Sequence, residues 1–176
     1  CCMKSRLLLP SPECMSDEQL AIHADVLRTR GNVSGPFLAW LLSPGLAQPA
    51  QELGAFCRYR TSLTLQESEL LVLSVAAHYR CAGEREIHEP IAREAGLGDD
   101  VLQAVRHHEM APVSTPRLRL LAEVAHALCA HKTLDAALYG RAASTFGEKT
   151  LLEIVGVVGY YALVAYTLNA FEMRLA

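Results

Sequence analysis

Residues 65–97, LQESELLVLSVAAHYRCAGEREIHEPIAREAGL, carry the decisive pattern for the fold. The first half is apolar almost all round and too long for a strand, which predicts a buried helix. Thr64 stands just before it and Glu67 follows three residues on, a capping-box pattern that sets the helix start. From about Gly83 the run turns charged and continues as a second helix to Ala95, ended by Gly96.

The turn between these helices gathers chemistry. Glu84 and His88 are spaced i, i+4 and share one helix face. Cys81 lies one turn earlier, near a helix N-terminus, where the dipole favours a thiolate. Glu69 lies on the preceding helix. If the two helices pack as a hairpin, its carboxylate reaches His88 and fixes the imidazole tautomer. Carboxylate, imidazole and a second acid or thiol make a proton relay. The same residues also suit a solvated first turn beside a buried cysteine and a satisfied histidine. A metal reading has Glu84 and His88 on one ion, with Glu69 as the only evident third ligand.

The rest of the chain reads as helices too. Ser16 with Gln19 opens DEQLAIHADVLRTR, which Gly31 ends; Ser43-Pro44, Thr115-Pro116, Leu134 and Glu148 mark further starts. No run sustains a period-two alternation, so an all-α fold is predicted. The 176 residues fit one domain, 1–176, with a helical N-terminal extension over 1–35. Shifting the chain by 81 residues lays 65–79 over 146–160, a degenerate helix-hairpin repeat. Glu69, Cys81, Glu84 and His88 then meet Thr150, Ala162, Ala165 and Asn169, so the scaffold does not require the ionisable groups.

Composition narrows the function classes. Half of the residues (51%) are hydrophobic and 20% charged, which predicts aliphatic surface buried between subunits. The net charge of −3 leaves no basic footprint for nucleic acid or for an anionic membrane. IVGVVGYYALVAYTL (154–168) is uncharged, but shorter than the ~20 residues of a membrane span, and reads as buried helix. The six cysteines fall in no C-x-x-C pair, zinc pattern or disulfide framework. The start, CCMKSRLLLPSPE, holds only a three-leucine run in place of a secretory apolar region, so a reduced cytoplasmic setting is expected. Cys1 and Cys2 are assigned no role. His107, His108, His126 and His131 read as surface or helix-face histidines, and the last two, five apart, do not share a face.

The order Glu69, then Cys81-x-x-Glu84-x-x-x-His88, then IAREAGL, resembles the carboxymuconolactone decarboxylase-like, or alkylhydroperoxidase-D-like, proteins. GPFLAWLLSPGLAQPAQELGAFCRYRTSLTLQESELLVL upstream and LLEIVGVVGYY with LNAFEM downstream extend the likeness over about 35–172. The resemblance implies an all-α alkylhydroperoxidase-D-like fold and a homo-oligomer, a trimer ahead of a dimer or hexamer. It implies catalytic roles for Glu69, Cys81, Glu84 and His88, a small-molecule substrate, and no cofactor. In the peroxidase branch the motif is C-x-x-C-x-x-x-H. Here Glu84 takes the place of the second cysteine and cannot form a disulfide. Gly83 and Arg85 replace the usual Tyr and Trp, which opens the pocket and adds a cation for a substrate carboxylate. Arg85 and Tyr79 are therefore expected on the substrate side. The leading expectation is a cofactor-free decarboxylase, lyase or isomerase acting on a small carboxylated or carbonyl compound. The alternative is a thiol-dependent alkyl hydroperoxide reductase that uses Cys81.

Overall fold

The computed structural model describes residues 3–109, 113 and 115–175, so Cys1 and Cys2 lie outside it. Helices dominate. In chain order they are α1 (Asp17–Arg30), α2 (Pro36–Trp40), α3 (Pro44–Tyr59), α4 (Leu65–His78), α5 (Ala82–Glu94), α6 (Asp99–His107), α7 (Pro116–His131), α8 (Ala136–Phe146) and α9 (Glu148–Ala170). Among the described residues the only strands are β1 (Met3–Lys4) and β2 (Arg174–Leu175), a two-residue antiparallel pair. The fold is all-α. The chain divides into two compact units, residues 1–60 with 166–176, and residues 61–165.

In the first unit α3 packs against α1 and α2. The Ser16 hydroxyl accepts the Gln19 N–H, the Gln19 side chain returns the bond, and Gly31 closes α1 at φ 75°. Gln19 also donates to the Leu41 carbonyl at 2.7 Å, and the Trp40 indole N–H donates to the Thr167 hydroxyl at 3.0 Å. Ile22, Val26, Trp40, Leu41 and Met173 are buried. Of the extension read over 1–35, the helical part is α1, preceded by a short 3-10 turn at Pro12–Cys14.

The second unit is built around α4, which packs on α5, α6 and α7. Leu70, Leu71, Val72 and Val75 have no exposed surface, so α4 is enclosed on all sides and its sequence is apolar for that reason. Truncating a leucine there to alanine costs about 2–5 kcal/mol. The Thr64–Glu67 capping box forms in full. Glu67 is itself buried, and its other oxygen accepts the Arg117 Nε–H at 2.5 Å, which ties the start of α4 to α7.

Three details differ from the sequence reading. The helices α2 and α6 were not anticipated. The second copy of the repeat is not a hairpin, because α9 runs unbroken through the positions that match the α4–α5 turn. The physical difference sits at residue 80: Arg80 adopts φ 52° and ends α4, whereas its counterpart Tyr161 stays helical in an apolar, buried run. By length and composition α9 is apolar enough to cross a bilayer, but 61% of its most apolar window is buried inside the protein, as in a core helix.

Candidate active site

The site begins with the way α4 stops. The Cys81 N–H donates to the Ala76 carbonyl at 2.8 Å, and the Arg80 N–H to the Ala77 carbonyl at 3.1 Å. With Arg80 left-handed, this is a Schellman motif, normally built on glycine. It turns the chain sharply and leaves Cys81 fully buried as the N-cap residue of α5. The helix then starts at once, with Glu84 in its first turn and His88 one turn further on.

Hairpin packing of α4 and α5 brings Glu69 to His88. The imidazole Nδ1 lies 2.7 Å from Glu69 Oε2, and Nε2 lies 3.4 Å from Glu84 Oε2. Glu69 has no exposed surface, Glu84 4% and His88 5%, so the relay is shielded from bulk water. Desolvated charges this close interact far more strongly than they do in water. A carboxylate on Nδ1 selects the tautomer with its proton there, and Nε2 is left to exchange a proton at the Glu84 end. Chemically the arrangement can hold a proton on either side of one imidazole.

Arg85 follows Glu84 and lies one turn from both Cys81 and His88. Its Nε is buried and has no hydrogen-bond partner among the described residues. Tyr79 caps the C-terminus of α4, and its ring stands edge-on to His78 with centroids 5.1 Å apart. The remaining buried thiols are poor nucleophiles. Burial, against the opposing charge of Arg30, pushes Cys57 up to about 11, and burial likewise raises Cys129. Among the described residues no group of three or more His, Cys, Asp and Glu is arranged to hold a metal ion.

Two features were missed from sequence. Tyr161, 4% exposed on α9, meets the His88 ring edge-on at 5.6 Å, and Tyr160 meets Tyr161 at 5.3 Å. Only the Tyr160-Tyr161 doublet in an apolar run hinted at this. Histidines read as surface or helix-face groups are in ring contact: His126 and His131, read as not sharing a face, lie 6.0 Å apart, and His108 lies 5.7 Å from His126. Because His131 is the last residue of α7, the five-residue spacing does not keep the flexible side chains apart.

Residues 44–127, just under half of the chain, match the carboxymuconolactone decarboxylase family. No curated protein matches the sequence. Two crystal structures share the fold. One, an alkylhydroperoxidase AhpD core described as an uncharacterized peroxidase-related protein from Ralstonia eutropha JMP134, has a TM-score of 0.82 at 20% identity, over 98% of this chain and 92% of the other. The second, an uncharacterized peroxidase-related protein from Silicibacter sp. TM1040, has a TM-score of 0.76 at 17% identity, over 97% and 91%. Residues 44–127 are thus similar to the carboxymuconolactone decarboxylase family, and the two structures share the all-α fold of the chain.

Proposed function

We propose that the protein is a cofactor-free acid/base enzyme, a decarboxylase, lyase or isomerase, acting on a small carboxylated or carbonyl compound. The observation that carries this reading is His88 held between two buried carboxylates, at 2.7 Å from Glu69 and 3.4 Å from Glu84. In a decarboxylation the bond to the substrate carboxylate breaks and its electron pair flows into a conjugated carbonyl. Carbon dioxide leaves, and the resulting carbanion takes a proton. Glu84, with His88 behind it, is the proton donor; Glu69 orients the ring and balances its charge. Arg85 anchors a carboxylate through its guanidinium, Tyr79 lies on the substrate side, and Cys81 shapes the wall of the site.

The second reading is a thiol peroxidase, favoured by the peroxidase-related descriptions of the two similar structures and by Cys81 at a helix N-terminus. There the Cys81 thiolate attacks a hydroperoxide, the O–O bond breaks, and alcohol leaves. An external thiol then reduces the sulfenic acid. Glu84 in place of a second cysteine, together with the raised Cys57 and Cys129 thiols, weighs against an internal disulfide step.

Paired assays separate the two readings. Carbon dioxide release from unsaturated lactone acids and peroxide consumption are measured on wild type, His88→Ala and Cys81→Ser. The lyase reading expects His88→Ala to lose about 10²–10⁴-fold and Cys81→Ser to lose little. A dead Cys81→Ser with His88→Ala merely slowed transfers the assignment to thiol chemistry.

We also propose a homo-oligomer, with a trimer ahead of a dimer or hexamer, and a reducing cytoplasmic setting. Support for assembly comes from α9. Leu152 is 73% and Val155 42% exposed, and Gly156 and Gly159 on the same stripe have open space beside them. Sedimentation of wild type and Leu152→Glu tests it: a purely monomeric wild type at micromolar concentration refutes assembly.

A further inference from the structure

Outside the candidate active site, three helices of the second unit end on histidine. His78 closes α4, His107 closes α6 with His108 as its left-handed cap (φ 59°), and His131 closes α7. His126 lies one turn and a half before His131. Together they make a continuous row of ring contacts, with centroids 6.2 Å apart for His78 and His108, 5.7 Å for His108 and His126, and 6.0 Å for His126 and His131. The last three line a cleft of about 450 Å³.

We propose that His78, His108, His126 and His131 form an acid-responsive seam between α4, α6 and α7, which on protonation loosens the α4–α5 turn and the setting of Cys81. One imidazolium suits a helix C-terminus, where the dipole is negative. Four in ring contact repel one another instead. Lys132, whose ammonium caps the Cys129 carbonyl at the end of α7, adds to the positive side, as does His107. Two carboxylates in the cleft are already engaged: Glu123 with Arg141 at 2.6 Å, and Asp135 as N-cap of α8. Arg141 neutralises Glu123, so Asp135, whose partner is a neutral N–H, sets a single negative charge in the cleft against the row of imidazoles.

Burial first, then Lys132, His108 and His126, hold His78 below the ordinary imidazole value; burial first, then His126 and His107, do the same for His108. The unfolded chain therefore takes up protons before the folded one. Stability is full above the ordinary value of 6.5 and falls as the pH drops below it. This window is separate from that of the carboxylates, whose ordinary value is 4.5. His78 is three residues ahead of Cys81, joined to it through the Schellman motif, so strain at the seam reaches the turn through two peptide hydrogen bonds.

The test is native-state hydrogen exchange at the Cys81 amide, the donor to the Ala76 carbonyl, near pH 7.5 and pH 5.5 and corrected for the intrinsic rate. Wild type loses about tenfold or more of its protection at the lower pH, whereas the His108→Asn/His126→Asn double variant keeps it. An equal loss in both proteins, or none in wild type, overturns the proposal. Should the double variant fail to fold, imidazole proton shifts followed through a titration of wild type decide. Titration of His78 and His108 below 6.5 supports the seam; titration of both at the ordinary value refutes it.

Discussion

Nδ1 of His88 lies 2.7 Å from Oε2 of Glu69, a fully buried carboxylate nineteen residues earlier on the adjoining helix. Such a bond selects one tautomer and supports positive charge on the ring as it takes up a proton. Glu69→Gln keeps the shape and removes the charge. It lowers kcat about 10²-fold or more with little change in KM, since Glu69 acts through His88 and does not touch the substrate. Steady-state kinetics with circular dichroism as a fold control check this. A kcat within about twofold of wild type removes Glu69 from the relay.

Arg85 makes the complementary prediction. A guanidinium with a buried Nε and no hydrogen-bond partner among the described residues is suited to a planar anion brought by the substrate. Arg85→Lys keeps the charge and loses the fork, so KM rises about tenfold for carboxylated substrates while kcat changes little. The control is an uncharged ester of the same compound. It should show no difference between the two proteins; equal losses on acid and ester would mean that Arg85 supports the fold and not the carboxylate.

Much of this arrangement was legible in the sequence, because it rests on local rules. The capping boxes at Ser16 and Thr64 and the stop at Gly31 are short-range hydrogen-bond patterns, and they formed as read. The i, i+4 spacing of Glu84 and His88 is a helix property, and the encounter with Glu69 follows once two adjacent helices pack as a hairpin. What failed to show was set by backbone conformation without a sequence marker, or by long-range packing. Gly96 announces its left-handed φ of 92°, but Arg80 and His108 adopt the same region with side chains that give no such sign. The repeat looked like a hairpin at 160–162 because its apolar pattern matches, and only the missing left-handed residue decides otherwise. Tyr161 and the row of histidines come together across separate helices, a pairing that no spacing rule encodes.

Glu153 gives a prediction about pH. Its Oε1 accepts from the Lys149 ammonium at 2.7 Å and its Oε2 from the Ser62 N–H at 2.7 Å, which pins the loop ahead of α4 to the start of α9. The Lys149 bond first, then the Ser62 N–H, holds this carboxyl below its ordinary value of 4.5. A depressed carboxyl stabilises the fold above its unfolded value and loses that contribution as the pH falls through the folded one. Lys149 is largely exposed and screened, so most of the effect belongs to the Ser62 bond. Glu153→Gln therefore costs about 1–3 kcal/mol at neutral pH, a Tm loss of several degrees, and the gap closes as the pH falls below the ordinary value of 4.5. Melting curves across the range read this directly, and a gap that stays constant with pH would contradict it.

The left-handed Arg80 offers the sharpest test of how the fold places Cys81. Its side chain is exposed, and its φ of 52° is one that non-glycine residues adopt at a cost. Glycine at this position of a Schellman motif relieves that cost, so Arg80→Gly should leave stability unchanged or raise it by about 0.5–1 kcal/mol, after the greater freedom of glycine in the unfolded chain is set against the relief. A β-branched residue has the opposite effect. Arg80→Val lowers stability by about 1–2 kcal/mol and opens the turn. The same pair reports on the site, because Cys81, whose N–H completes the motif, starts α5 by accepting the Arg85 N–H at its carbonyl, and α5 carries Glu84 and His88. Chemical denaturation of both variants, with the rate of Cys81 modification by a disulfide reagent measured alongside, gives the two readouts. Arg80→Val should expose the thiol and raise its modification rate, while Arg80→Gly leaves it protected. If both variants label as slowly as wild type and unfold at the same denaturant concentration, the turn is set by packing of α4 on α5, and the left-handed residue is its passenger.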